Sequence, residues 1–413
     1  MFATCVGELS LHDIRPDDHA SPASPCIVTR HLVLVTHYFS THRGGVELVA
    51  AELASRLADT HGWRATWFAS DADPLPKGLP TTMRMVPAQA WNGIERRTGV
   101  PWPVWSPRAL HGLWRAVGKA DVVHLHDALY FGNAFAWLFA RLRGVPVIVT
   151  QHVGSVPFRS AFLRAAHTFA NRTLGRLVLS TAHQVVFISP AVCQEFERFC
   201  RFRTLPVYCQ NGVDTAIFTP DGAVADDQAI VSARHAGKRV FLFVGRFVEK
   251  KGLNVLRELA AGFSDDLWIF AGQGSLDPEQ WALPNVLVVR DVSGSALARY
   301  YRAADLLVLP SVGEGFPLVV QEAMACGTPV MVGDETAAGC PDARHLLLVE
   351  NVGASDTAVR WARRLSELRE NPHRLLALRF EVAKFAREHW SWDSTAAVYA
   401  RLLDAIELRK SAS

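Results

Sequence analysis

Short apolar runs recur along this chain, separated by longer stretches in which apolar positions return every three or four residues. The first kind reads as strands at 32–36, 65–69, 122–125, 145–150 and 184–188. The second reads as helices at 46–59, 134–142 and 161–181. Runs that are apolar throughout, and not only at alternate positions, predict strands buried on both faces. Their alternation with helices predicts a parallel, doubly wound sheet. The pattern pauses in the polar stretch 221–238 and then starts again. Strands are predicted at 240–244, 267–271, 286–290, 306–309 and 329–332, and helices at 253–261, 295–303 and 319–326. From about 356 to 408 the pattern is helical and amphipathic, interrupted at Trp390-Ser391-Trp392-Asp393.

Two successive α/β domains are therefore expected, at 31–205 and 206–388, with a ligand crevice between facing strand C-termini. The pattern permits a last helix, at 389–413, that packs back on the first domain. Residues 1–30 have no apolar segment and read as a disordered lead-in, not a secretory signal. A length of 413 residues also favours two cores over one. The formal charge of +3 is small for that length and argues against nucleic acid as a partner. The seven cysteines form no C-x-x-C pair, and Cys193, Cys200 and Cys209 have no histidine at zinc-ligand spacing. Such a set suits a reducing compartment. No run reaches the roughly 18–20 apolar residues that span a bilayer, so any membrane contact is expected to be peripheral.

Chemistry gathers where the predicted strands end. Glu314 and Glu322 flank a Gly315-Phe316-Pro317 turn and the start of an apolar helix, a place that attracts anionic or hydroxyl-rich ligands. Gly44 and Gly45 lie between the first strand and its helix, where backbone amides can approach an anion; the motif is not G-x-G-x-x-G. Arg246 and Lys251 leave the first strand of the second half and can neutralise a diphosphate, although Glu249 is close enough in sequence to pair with one of them. Gly272 and Gly274 follow the next strand and can bring backbone close to a ring or a phosphate. In the first half, His124, His126 and Asp127 close one strand and His152 closes another, where histidine can bind a sugar hydroxyl. His124 and His126 share a strand face but lack a third metal ligand. Asp71-Ala72-Asp73 reads as a surface loop. The segment 159–176 mixes arginines with apolar residues at helical spacing. It suits either an anionic lipid surface or packing into the core. Trp91, Trp102, Trp105 and Trp114 are candidates to extend such a surface.

Gly44–Glu47, His124–Asp127, Thr150–Gly154, Gln210–Asp214, Val244–Gly252, Ala271–Gly274 and the Glu314–Glu322 segment follow one another in a fixed order. In that order the chain resembles the retaining glycosyltransferases of family 4, with the GT-B fold. The resemblance implies that Arg246 and Lys251 bind the donor diphosphate, with Gly44, Gly45, Gly272, Gly274, Gly315, Phe316 and Pro317 around the donor. It further implies that Glu314 meets the donor sugar and Glu322 the ribose. His152 would lie near the reacting sugar, and His124, His126 and Asp127 on the acceptor side. The implied reaction moves a hexosyl group from a UDP- or GDP-hexose to a hydroxyl, with no metal and no cofactor. A glycan or lipid-linked oligosaccharide acceptor is expected, in polysaccharide assembly at the cytoplasmic face of the membrane. The same fold also hosts nucleotide-sugar epimerases, phosphorylases and sucrose-type synthases. A sugar-nucleotide-binding regulatory subunit is the non-enzymic alternative, against which the intact Arg246, Lys251, Glu314 and Glu322 argue.

Overall fold

A computed structural model describes residues 30–411 apart from 43, 94, 96–101, 157–159, 313–315 and 354–355. The lead-in expected at 1–30 lies outside the described residues, save for Arg30, where the first strand begins. The strands of the first half are β1 (Arg30–Val35), β2 (Trp63–Ser70), β3 (Met83–Ala88), β4 (Ala90–Trp91), β5 (Val104–Trp105), β6 (Val122–His126), β7 (Val147–Gln151), β8 (Gln184–Phe187) and β9 (Val207–Tyr208). β4 and β5 make a small antiparallel pair, and the rest form a seven-stranded parallel sheet in the order β3-β2-β1-β6-β7-β8-β9. The second half adds β10 (Val240–Val244), β11 (Leu267–Ala271), β12 (Val286–Val289), β13 (Leu306–Leu309), β14 (Val330–Gly333) and β15 (Leu348–Glu350). These form a six-stranded parallel sheet in the order β12-β11-β10-β13-β14-β15.

The apolar runs explain this architecture. Leu32, Val33, Leu34 and Val35 point alternately to the two faces of β1, and all four are fully buried. Helices must therefore cover both faces, which is the doubly wound arrangement. In each sheet the chain first builds outward from a central strand and then returns to its other side. The two reversals, between β1 and β6 and between β10 and β13, open crevices beyond the strand C-termini.

Two chain crossings tie the halves together. Gln210–Val213 and Trp390–Trp392 lie side by side, joined by Val213 N–H donating to Trp390 O at 2.6 Å and by a parallel bridge between Val213 and Ser391. Trp390 Nε1 donates to Gln210 Oε1, and a Cβ on Gly212 would stand 2.5 Å from the Trp392 ring. The last helix, Trp392–Ser411, lies on the first half, with Trp392, Tyr399 and Leu403 buried against Leu32, Leu53, Trp63 and Val122. Arg30 pairs with Asp404 and Glu407 of that helix. The edge strand β9 places the end of the first sheet slightly beyond the boundary expected at 205/206.

The segment read as one helix at 161–181 consists of Ala161–Ala170, a π turn at Asn171–Gly175, and Arg176–Thr181. Ala161–Ala170 buries none of its residues, and Phe162 and Phe169 are 78% and 70% exposed. Packing into the core, one of the two readings of this segment, does not describe that first part. Of the four tryptophans, Trp91 and Trp102 are exposed, Trp105 is buried, and Arg143 stacks over Trp114. No helix among the described residues is long and apolar enough to cross a membrane.

Candidate active site

In the second half, two loops close on each other at the crevice. Gly245 N–H donates to Ala271 O at 3.0 Å, Phe247 N–H to Gln273 O at 2.8 Å, and Leu276 N–H to Phe247 O at 2.9 Å. A Cβ on Gly272 would lie 2.0 Å from Gly245 O, and one on Gly274 would lie 2.5 Å from Phe247 O. Both glycines have φ values, 150° and 159°, that side chains rarely adopt. They are needed because two backbones meet, so approach to a ligand is not required to explain them. The zipped loops hold Arg246 exposed at the end of β10, without an ion pair among the described residues. Lys251 lies along the same loop, its Cε 3.6 Å from the position of a Cβ on Gly245.

The helix expected after the Glu314 turn is Leu318–Ala325, capped by Pro317. Glu314 and Gly315 lie outside the described residues. Phe316, expected at the donor, is instead 5% exposed, with its ring 5.3 Å from that of Trp390. It is an anchor at the chain crossing because a phenyl ring gains more by burial than at a wet cleft. Glu322 is only partly exposed, and its Oε2 accepts a 2.8 Å hydrogen bond from Tyr301. Burial raises its carboxyl to about 7, opposed by that hydrogen bond.

In the first half, the helix Gly45–Thr60 starts behind Gly44, and the acid nearest that start belongs to the chain itself. Glu47 is 6% exposed, and its Oε2 would lie 2.1 Å from a Cβ on Gly44. Burial raises the Glu47 carboxyl, against hydrogen bonds from the backbone N–H groups of Glu47 and Tyr38. The missing side chain of Gly44 thus makes room for the Glu47 carboxyl group. Beside Gly45 the space is open.

The histidines at the ends of β6 and β7 are arranged in depth. His124 is buried, its Nε2 2.8 Å from Thr150 Oγ1, which lies 2.9 Å from the Tyr399 hydroxyl of the last helix. His126 is wholly buried, with Nδ1 2.9 Å from His152 Nε2. His124 and His126, expected on the acceptor side, are both buried, because strands covered on both faces leave no wet side for a side chain. His152, 8% exposed, is the least buried of the three. Burial depresses His152 to about 3 and, with help from the charge of His152, His124 to about 3 as well. Burial also holds His126 well below the usual range, so all three rings are neutral.

Asp127, at φ 67° and buried, accepts on Oδ1 from the backbone N–H groups of His152 at 2.8 Å and Val153 at 3.0 Å. Its carboxyl is raised to about 7 by burial, opposed by those two hydrogen bonds and reinforced by the charge of Glu47. Its Oδ1 is thus spent on the loop that carries His152. Gln151 completes the clamp, accepting from Ala128 N–H at 3.1 Å and donating to Val153 O at 2.7 Å. Asn133 Nδ2 donates to the carbonyl groups of His126 and Asp127. Gln151, Asn133 and Tyr301 escape a reading of the sequence because none of their bonds follows from a local motif: Asn133 reaches back to His126 and Asp127, Gln151 across to Ala128, and Tyr301 to Glu322. Only the neighbourhood of Gln151 to His152 hinted at a role. Asp71 and Asp73 bind Ala90 N–H and His42 respectively and remain a loop feature.

Comparison with known proteins fits this architecture. The sequence model described as Glycosyltransferase Family 4 matches residues 43–217, and that described as Glycosyl transferases group 1 matches 238–371. A D-inositol 3-phosphate glycosyltransferase of Thermobispora bispora is 30% identical over 88% of this chain and 91% of its own. A protein of the same name from an Arthrobacter species is 31% identical over 68% of this chain and 69% of its own. Among solved structures, sucrose-phosphate synthase from Thermosynechococcus elongatus superposes with a TM-score of 0.73 at 19% identity, covering 93% of this chain and all of that one. Anabaena HepE in complex with UDP-glucose gives 0.66 at 16% identity, covering 91% of this chain and 99% of that one. The chain belongs to the group 1, family 4 glycosyltransferases and has their GT-B fold. It is a glycosyltransferase.

Proposed function

We propose that the protein moves a hexosyl group from a nucleoside-diphosphate sugar to an acceptor hydroxyl, with retention at the anomeric carbon and without a metal ion. The observation that carries this reading is Arg246 held exposed beside Lys251 at the end of β10, in the crevice of the second sheet. As the bond from the anomeric carbon to the diphosphate breaks, negative charge grows on the leaving group, and these two cations stabilise it. Removing one costs on the order of 3 kcal/mol, about 100-fold in rate. A leaving-group oxygen takes the acceptor proton on the same face of the sugar. Glu322 holds the ribose and Glu314 the donor sugar, while neutral His152 offers the sugar a fixed hydrogen-bonding group. Closure of the halves about the two crossings excludes water.

A lipid-linked glycan at an anionic membrane is the acceptor reading supported by the Ala161–Ala170 helix. Its exposed Phe162 and Phe169 stand among Arg164, Arg172 and Arg176, with no acid between 160 and 182. The names of the two relatives favour a second reading, a phosphorylated polyol. Purified protein is tested against UDP-, GDP- and ADP-hexoses for thermal stabilisation and hydrolysis, then with inositol phosphate and lipid-linked acceptors. Stabilisation by none of them, or undiminished transfer in both Arg246→Ala and Lys251→Ala, would sink the proposal.

A further inference from the structure

The hydrogen bond between His126 and His152 decides which nitrogen of His152 a ligand meets. The ring planes are 18° apart with centroids at 5.1 Å, yet two nitrogens approach to 2.9 Å. Face-to-face rings cannot bring nitrogens that close, so the imidazoles meet edge to edge. Both rings are neutral, and each therefore carries one N–H. His126 Nε2 is buried with no hydrogen-bond partner among the described residues. A proton there would be a buried donor with no acceptor among the described residues, a costlier arrangement than a bare lone pair. The proton of His126 therefore sits on Nδ1 and is donated to His152 Nε2. His152 is left with its own proton on Nδ1, which makes no hydrogen bond within the described residues. The Oδ1 of Asp127 holds the backbone of His152 at the same time.

We infer that His126 is a positioning residue: from beneath the site it fixes His152 as an Nδ1–H donor and aims that donor at the transferred sugar. The inference rests on the placement of His152 at the reacting sugar given above. His126 touches no substrate and acts only through its neighbour.

The enzyme labelled with ¹⁵N-histidine tests the tautomer directly, without substrate. His152 is expected as the Nδ1–H form, with scalar coupling across the hydrogen bond between its Nε2 and His126 Nδ1. An Nε2–H form, a mixture, or absent coupling overturns the inference. Kinetics with the sugar nucleotide selected by the panel test the role. His126→Leu is expected to lower kcat roughly 10–100-fold through misplacement of His152, with donor KM essentially unchanged. In His126→Asn an amide stands where Nδ1 was and keeps most of the rate. In His126→Gln the amide reaches the empty Nε2 position and falls with the leucine variant. This ordering remains readable if the leucine variant fails to fold. The double variant His126→Leu with His152→Ala is expected to be no slower than His152→Ala alone. Multiplying losses, or a glutamine variant better than asparagine, overturns the inference. Unchanged transfer by His152→Ala instead sinks the placement of His152 at the sugar, while the tautomer measurement still reports on the bond itself.

Discussion

Asp127 has a left-handed backbone and a carboxyl group bonded to two N–H groups of the loop that carries His152. Asparagine tolerates that φ and keeps an acceptor oxygen. Alanine loses both bonds and is strained as well. Asp127→Ala is expected to destabilise the protein by about 2–4 kcal/mol, and Asp127→Asn by far less, as chemical unfolding measures. Glu322 gives a pH signature. Its folded carboxyl is raised from 4.5 to about 7, so the native state binds the proton more tightly than the unfolded chain. That contribution is complete below pH 4.5 and is lost as the pH rises through about 7. It amounts to at most about 3 kcal/mol. Glu322→Gln should flatten the stability profile between pH 5 and 8; an equally steep decline in the variant would show that the acid is not buried as described. His124 and His126 look like crevice residues in the sequence, since both stand at a strand C-terminus. A strand covered on both faces has no alternation from which to tell an inward side chain from an outward one, so their burial was not legible.

Among the elements, the central strands were legible because each is a short run that is apolar throughout. β3 was not, because Arg84 and Pro87 break its run; as the edge strand it tolerates both. The π turn at Asn171–Gly175 was equally hidden, since an extra residue in one turn barely changes a pattern of apolar positions. The glycine-rich loops were visible as turns, but their mutual contact depends on segments about thirty residues apart in sequence, which no local pattern reveals. That contact gives a sharp expectation. Gly274→Ala sets a methyl group against the Phe247 backbone and should prise the two loops apart. A loss of about 1–3 kcal/mol in stability is expected, together with weakened sugar-nucleotide binding. Titration calorimetry showing unchanged binding would mean that the loop pairing does not hold Arg246 in place.

At the scale of the whole molecule, the two-domain layout was legible from the restart of the strand pattern after residue 238, whereas the pairing of the two crossings was not. Gln210–Val213 is one of the segments that carry the family resemblance, and its hydrogen bonds go to Trp390, to Gln321 and to Thr395. Leu318, at the start of the helix that carries Glu322, packs against the same cluster as the last helix. A fragment of residues 30–213 should aggregate, because it leaves Leu32, Leu53, Trp63 and Val122 without the cover of Trp392, Tyr399 and Leu403. Joining residues 390–411 to it through a flexible linker should restore a cooperative unfolding transition, which circular dichroism would follow. The consequence reaches back to synthesis on the ribosome. Domains made first usually fold first, but here the first sheet cannot seal one of its faces until the final helix of the chain has been made. The half translated earliest is thus the half completed last, and it waits through the making of the entire second sheet with apolar surface open to the chaperones of the cell.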